Sequence, residues 1–199
     1  MTSTSPSGEG RRSSTSASRA TCSVRCGALL LLLLVLLLPA QGLADDPFKA
    51  LDLIRPSRPM AASDFVVPGL SSPPLRLSDF RGKVVFLNFW ATWCLPCKEE
   101  MPAMERLYQR DKQKGLEILA ISLDTQSAVA VQRFVTELKL TYPIGLDPKW
   151  AVAEKYTVRA LPSSFLIDRK GSVVAIALGP RDWDGPAAHA VMESLLRER

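Results

Sequence analysis

The chain has 199 residues, of which 47% are hydrophobic and 23% are charged, and it carries a formal net charge of +5. This length predicts one domain with appendages rather than two full domains, and the composition is that of a globular protein. The basic residues form no stripe with interleaved aromatic residues, so the sequence argues against a nucleic-acid partner.

Residues 1–44 have the pattern of a leader. Residues 1–23 are rich in Ser and Thr and show no hydrophobic pattern, so we expect them to be disordered. The apolar run LLLLLLVLLL at 29–38 follows Arg25 and precedes PAQGLA, an arrangement typical of a secretory signal peptide with cleavage after Ala44. The run is shorter than the roughly 20 residues of a membrane-spanning helix, and an uncleaved signal anchor is the alternative.

A proline-rich stretch at 45–61 is interpreted as a linker, and residues 62–199 as one domain in which buried strands alternate with amphipathic helices. In chain order the patterns predict two short strands at 63–80, a buried strand at 83–90, a helix at 94–114, a strand at 116–124, a helix at 127–140, a short strand at 142–147, a short helix at 149–156, a hairpin at 163–178 and a helix at 186–199. This order predicts an α/β fold with a mixed central sheet, helices on both faces and an N-terminal strand extension.

The domain contains two cysteines, Cys94 and Cys97, within the sequence NFWATWCLPCKEEMP. A structural zinc site needs four Cys or His ligands, and the single histidine, His189, would supply only a third, so no zinc site is expected. A disulfide across two intervening residues closes a very small loop and removes little chain entropy, which argues against a purely stabilising role.

Electron transfer explains this cysteine pair better. Cys94 follows the buried strand and begins the predicted helix, where unpaired N–H groups and the helix dipole stabilise a thiolate. Cys97 lies about one turn further on and can resolve a mixed disulfide. Pro96 falls in the first helical turn, where its missing N–H does not weaken the helix.

The motifs FLNFWATWCLPCKEEMP and ALPSSFLIDRKGSVV resemble those of the thioredoxin-fold thiol–disulfide oxidoreductases, and more narrowly those of the TlpA/ResA-like branch. The similarity begins near Ala62 and extends to the C-terminus, and it implies a thioredoxin-like fold for the whole domain. It also implies that Pro162 is cis and packs against the sulfurs, and that the backbone of Leu161 pairs with a bound substrate chain. Trp93 is expected to cover the disulfide, because aromatic residues are enriched at such polar-rimmed sites.

Two further positions distinguish the TlpA/ResA-like branch from thioredoxin itself. Asn88 stands where thioredoxin has a buried aspartate, and Glu100 stands where the ResA-like branch has a glutamate close to the cysteines. The resemblance therefore predicts that Glu100 tunes the cysteine pKa values and shuttles a proton. The alternative is that Glu99 and Glu100 are acids in a first helical turn, which the helix dipole favours without any catalytic role.

The predicted function is that of an exported oxidoreductase acting through a mixed disulfide. No histidine lies between the cysteines, which favours a reductant over an oxidant. The leader predicts a location in the periplasm or on the outer face of the cytoplasmic membrane, and we expect a monomer with no cofactor beyond the redox-active disulfide. The resemblance implies a membrane electron donor and protein disulfide substrates, such as apocytochrome c or a copper-delivery protein. A peroxiredoxin-like peroxidase and a non-enzymatic copper-binding module are the alternatives.

Overall fold

The computed structural model describes residues 46–58 and 60–198. The expected disorder of 1–23, the apolar run at 29–38 and the cleavage after Ala44 lie outside these residues. Within the described ranges, no helix is both long enough and apolar enough to cross a membrane.

The described residues form eight strands, five α-helices and two 3-10 helices. The strands are β1 (Met60–Ala61), β2 (Val66–Val67), β3 (Leu75–Arg76), β4 (Val84–Trp90), β5 (Leu116–Ser122), β6 (Ile144–Leu146), β7 (Ser163–Ile167) and β8 (Ser172–Leu178). The α-helices are α1 (Pro47–Ala50), α2 (Leu95–Asp111), α3 (Ala128–Glu137), α4 (Ala151–Lys155) and α5 (Pro186–Arg197), and the 3-10 helices are Leu77–Phe80 and Lys112–Lys114.

Six of the strands form one mixed sheet in the order β1-β8-β7-β4-β5-β6. Strand β4 pairs in parallel with β5 and antiparallel with β7, so it lies inside the sheet. All residues of β4 and β5 are buried, as their largely apolar sequences predict for strands that are covered on both faces. Strands β2 and β3 pair antiparallel in a separate two-stranded sheet, which is the predicted N-terminal extension.

Side chains of β4 alternate between two hydrophobic clusters, one on each face of the sheet. Phe86 and Trp90 belong to a first cluster that also receives residues of α2, α3 and α5. Leu87 and Phe89 belong to a second cluster that receives residues of α4. Helices therefore cover both faces of the mixed sheet, and the predicted fold class is confirmed.

The stretch predicted to be a linker is part of the fold within its described residues. Helix α1 is capped by the Asp46 carboxylate, which accepts the Phe48 N–H at 3.0 Å, and Phe48 is buried in the first cluster. Ile54 forms an isolated bridge with Ile176 of β8, and β1 pairs antiparallel with the same strand. A one-turn helix and a two-residue strand are too short to show a periodic pattern, so these elements could not be predicted.

Candidate active site

Cys94 and Cys97 lie where the central strand passes into helix α2. Cys94 is the N-cap residue of α2, and its Sγ accepts the backbone N–H of Cys97 at 3.3 Å. The two residues form a disulfide with an S–S distance of 2.03 Å. Cys94 is 5% exposed and Cys97 is fully buried, while Pro96 lies in the first helical turn as predicted. Cys94 is therefore the more accessible of the two residues, and its sulfur is the one that faces the helix N-terminus.

The exposed side chains on either side of Cys94 are apolar. Trp93 and Leu95, on either side of Cys94, are 66% and 65% exposed. The Leu161–Pro162 peptide bond is cis, as the resemblance implies, and Leu161 packs against both hydrophobic clusters. These exposed side chains supply a surface on which a substrate chain can lie.

Trp93 forms one wall of a cavity of about 260 Å³. Thr92 and Asp124 line the same cavity, and the Asp124 carboxylate accepts the N–H and the hydroxyl of Thr92 at 3.0 and 2.5 Å. The ring is thus an exposed side chain rather than a core residue. Its expected role as a cover for the disulfide stays a prediction.

Glu100 is buried on the face of α2 that also carries Cys97, one turn further along the helix. Its Oε1 accepts the side-chain N–H of Asn88 at 3.2 Å. Its Oε2 accepts the backbone N–H of Arg181 at 3.2 Å and the indole N–H of Trp183 at 3.1 Å. The first turn of α2 contains no acidic residue, so the alternative that placed Glu99 and Glu100 there is wrong: both lie in the second turn.

The surroundings of Glu100 bring the pKa of its carboxyl group close to neutral pH. Burial, the largest cause, raises its pKa from 4.5 to about 7, because a charged carboxylate loses hydration there. The hydrogen bonds from Trp183, Arg181 and Asn88 and the charge of Arg181 act in the opposite direction, since they stabilise the anion. Burial outweighs them, so the carboxyl group can gain or lose a proton under ordinary conditions.

Asn88 connects Glu100 to the neighbouring strand. Its amide N–H group also donates to Ser164 Oγ of β7 at 3.0 Å, while its Oδ1 is buried and has no hydrogen-bond partner among the described residues. An amide carries both a donor and an acceptor. By turning over, Asn88 can therefore serve Glu100 in its charged form as a donor and in its protonated form as an acceptor.

Sequence reasoning missed the turn that supplies Arg181 and Trp183. Trp183 is fully buried within GPRDWDGP, a stretch rich in residues that favour turns. A large aromatic side chain in such a context was the signal that could have identified it. His189 is half-buried and lies 3.1 Å from the Asp184 carboxylate. Across 46–58 and 60–198, no three His, Cys, Asp or Glu side chains converge to hold a metal ion.

Comparison with known proteins is consistent with this geometry. The family model described as AhpC/TSA matches residues 60–176. The chain belongs to the AhpC/TSA family. It is 45% identical over 118 residues to the thiol-disulfide oxidoreductase ResA of Bacillus cereus, an alignment that covers 59% of this chain and 68% of that protein.

Solved structures give the same fold and class. A protein from Chlorobium tepidum described as the thiol:disulfide interchange protein DsbE superposes with a TM-score of 0.65 at 34% identity, covering 70% of this chain and 97% of that one. A secreted thiol-disulfide isomerase from Corynebacterium glutamicum superposes with a TM-score of 0.66 at 26% identity, covering 73% and 92%. This member of the family has the thioredoxin-like fold and is a thiol–disulfide oxidoreductase of the ResA/DsbE type.

Proposed function

We propose that this protein is an exported reductant of protein disulfides, in which Cys94 attacks, Cys97 resolves and Glu100 accepts a proton. One observation carries the proposal: the cysteine pair begins helix α2, and a buried carboxyl group with a pKa of about 7 lies one turn further on. The absence of a histidine between the cysteines supports the direction of electron flow.

In the first step, the reduced Cys94 thiolate attacks a substrate disulfide. The N-terminus of α2 stabilises this thiolate, since the Cys97 N–H points at the sulfur and the helix dipole favours a negative charge. One protein–substrate S–S bond forms, the substrate S–S bond breaks, and one substrate thiolate leaves. The exposed Trp93 and Leu95 and the Leu161 backbone hold the substrate chain beside the sulfur.

In the second step, Cys97 attacks the Cys94 sulfur of the mixed disulfide. The Cys94–Cys97 bond forms, the mixed disulfide breaks, and the second substrate thiolate leaves. Because Cys97 is fully buried, its thiol needs an internal proton acceptor before it becomes a nucleophile. We assign this role to Glu100, acting directly or through a water molecule. Over both steps the substrate gains two electrons from the protein and two protons, one that leaves Cys97 through Glu100 and one from solvent, and the protein is oxidised.

The resemblance and the leader support a substrate, an electron donor and a location for this reaction. The resemblance implies apocytochrome c or a copper-delivery protein as the substrate and a membrane donor that reduces the Cys94–Cys97 disulfide again. The apolar run at 29–38 supports export to the periplasm or to the outer face of the membrane, as a cleaved or an anchored protein. One similar structure is of a protein described as secreted.

Substrate capture tests the proposed function. In a Cys97→Ala variant, Cys94 still attacks the substrate disulfide but the mixed disulfide persists. We therefore expect covalent protein–substrate adducts that a reducing agent cleaves. A Cys94→Ala variant is the matched control and should capture nothing. Absence of adducts with the first variant, or equal adducts with both, would contradict the proposal. Peroxide turnover that depends on Cys94 would favour the peroxidase alternative, and copper retained stoichiometrically would favour the copper-binding alternative.

A two-step assay tests the role of Glu100. The reduced protein releases one coloured thiol from an aromatic disulfide reagent when Cys94 attacks, and a second when Cys97 resolves. We expect the rate of the second release to rise with pH around a midpoint near 7, and the Glu100→Gln variant to lose this inflection. Glu99→Gln, which removes an exposed acid of the same helix, is the control and should retain it. An unchanged profile in Glu100→Gln would remove Glu100 from the mechanism.

A further inference from the structure

The turn that follows β8 makes contacts that the reaction steps do not explain. Two donors of this turn, the backbone N–H of Arg181 and the indole N–H of Trp183, converge on one oxygen, Glu100 Oε2. Trp183 is fully buried, and its ring packs on Phe86 of β4 with the centroids 4.4 Å apart. The position of the turn therefore determines how well the buried carboxylate is solvated by the protein.

The Arg181 side chain connects this turn by hydrogen bonds to the N-terminal segment, residues 46–54. Its Nε donates to the Leu51 carbonyl at 2.9 Å, and its Nη2 donates to the carbonyl and the carboxylate of Asp52 at 2.9 and 2.8 Å. Its Nη1 donates within the turn to the Leu178 and Pro180 carbonyls at 3.2 and 2.9 Å. A planar guanidinium can bridge two chain segments in this way, whereas a lysine ammonium cannot reproduce the fork.

The N-terminal segment has a backbone arranged for this contact. Asp52 has a φ of +51°, a left-handed conformation that is uncommon for a residue other than glycine. It follows helix α1, whose Phe48, together with Leu51, is buried in the same hydrophobic cluster as Trp183 and Cys97. Helix α1 also contacts α5, which follows the turn. The carbonyls that hold Arg181 are thus anchored in the core around the cysteines.

We propose that Trp183 and Arg181 are positioning residues for Glu100, and that Leu51 and Asp52 hold them in place through the Arg181 guanidinium. This inference rests on the proposed role of Glu100. It makes residues 46–54 part of the active-site support. When the hydrogen bonds of Leu51 and Asp52 to Arg181 break, Glu100 loses donors to its charged form and retains its proton to higher pH.

The other ionisable groups around Glu100 do not replace these donors. Tyr142, before β6, is a buried phenol whose pKa is raised well above its usual value, by burial first and also by the charges of Glu105 and Glu100. Asp184, on the turn, is engaged by Arg106 and His189. The cysteine pair lies on the same chain segment as Glu100, and Asn88 of β4 and Ser164 of β7 are neutral.

The pH profile of the second thiol release tests the positioning role. Trp183→Phe keeps an aromatic ring against Phe86 but removes the N–H, and Arg181→Lys keeps the charge but removes the fork. For each variant we expect the midpoint to move up by about one pH unit, which slows the second release about 5-fold at pH 7. The first release, by Cys94, should change less than the second.

Arg169→Lys is the matched control. The Arg169 guanidinium also bridges backbone segments, donating to the carbonyls of Gly82, Lys114 and Leu196, but it makes no hydrogen bond to Glu100. We expect this variant to keep the wild-type midpoint even where its stability falls. Hydrogen exchange should show faster exchange at 46–54 in Arg181→Lys and unchanged exchange there in Arg169→Lys.

The possible outcomes separate this inference from the proposed function. If Trp183→Phe and Arg181→Lys keep the wild-type midpoint while Glu100→Gln abolishes the inflection, the positioning role is overturned and the role of Glu100 stands. If Glu100→Gln also keeps the inflection, the role of Glu100 fails. Unchanged exchange at 46–54 in Arg181→Lys would overturn the part played by Leu51 and Asp52. If one of Trp183→Phe and Arg181→Lys does not fold, the other is sufficient to measure the midpoint.

Discussion

Helix α2 carries two buried carboxyl groups, Glu100 and Asp111, whose surroundings drive their ionisation in opposite directions. Asp111 is fully buried, yet its carboxylate accepts hydrogen bonds from the cations Arg110 and Lys114 at 2.5 and 2.9 Å. Burial raises its pKa, but these two cations outweigh burial, and the pKa lies below its usual value. Glu100 is 4% exposed and accepts hydrogen bonds only from neutral N–H groups, so burial prevails and raises its pKa to about 7.

The difference between these two residues shows what a proton acceptor near a redox disulfide requires. A carboxylate with cationic partners stays charged throughout the working pH range and acts as a structural link, as Asp111 does at the end of α2. A carboxyl group with neutral donors is solvated well enough to remain in the core and weakly enough to change charge near neutral pH. Of the two, only Glu100 is suited to take a proton from Cys97.

The largest effect is expected when a second acid is placed beside Glu100. In Asn88→Asp, two carboxyl groups would face each other across the present 3.2 Å contact, so their repulsion would hold one proton on the pair above neutral pH while the other carboxyl group stays buried with a negative charge. We expect this variant to lower the free energy of unfolding by about 4 kcal/mol at pH 8 and by much less at pH 5, where the pair holds protons. Denaturant unfolding at both pH values measures this, and equal destabilisation at pH 5 and pH 8 would contradict it.

A smaller effect of opposite sign is expected from neutralising Glu100. Because its pKa is higher in the folded state than the unfolded value of 4.5, its contribution to stability is fully present below pH 4.5 and is lost as the pH rises to about 7. Glu100→Gln lacks this loss, and Asn88 can turn its unpartnered Oδ1 towards the new amide. We expect the variant to gain about 3 kcal/mol on the wild type between pH 4 and pH 8.

Denaturant unfolding across this pH range measures the gain, with Glu99→Gln as the control that should show none. If the difference in stability between Glu100→Gln and the wild type did not depend on pH, burial would not be acting on Glu100 as described.

Neutralising Asp111 tests the other half of the comparison between Glu100 and Asp111. Asp111→Asn removes the charge that pairs with Arg110 and Lys114, both of which are partly exposed and can be hydrated instead. We expect a loss of about 2 kcal/mol at pH 7, because a buried charged hydrogen-bond acceptor is lost. The pH dependence should be the reverse of that of Glu100: the lowered pKa of Asp111 gives stability above its usual value of 3.8 that is lost as the pH falls. Thermal unfolding at pH 7 and pH 3 checks this, and a penalty that grew at pH 3 would contradict it.

The parts of the fold that sequence predicted are those with local signals. The largely apolar sequences of β4 and β5 identified strands that are buried on both faces, and the apolar spacing in KEEMPAMERLY identified α2. The position of Cys94 at the start of that helix followed from the same two patterns. The cis bond before Pro162 came from the resemblance, since nothing local distinguishes it from an ordinary trans bond.

The parts that sequence did not predict depend on contacts between distant residues. Trp183 lies 83 positions from Glu100, and Arg181 reaches 129 positions back to Asp52, so no spacing rule connects them. The one-turn helix α1 forms only because the core already provides a place for Phe48. The alternative that placed Glu99 and Glu100 in the first helical turn was wrong, since α2 begins at Leu95 and its first turn ends before Glu99.

The ionisation of Glu100 can be measured directly. In oxidised protein labelled with ¹³C at the glutamate carboxyl carbons, the resonance that is missing in Glu100→Gln belongs to Glu100. Its chemical shift should titrate with a midpoint near pH 7, because burial outweighs the three neutral donors. A midpoint at or below 4.5 would mean that the carboxylate is stably charged, and it would contradict Glu100 as the proton acceptor for Cys97.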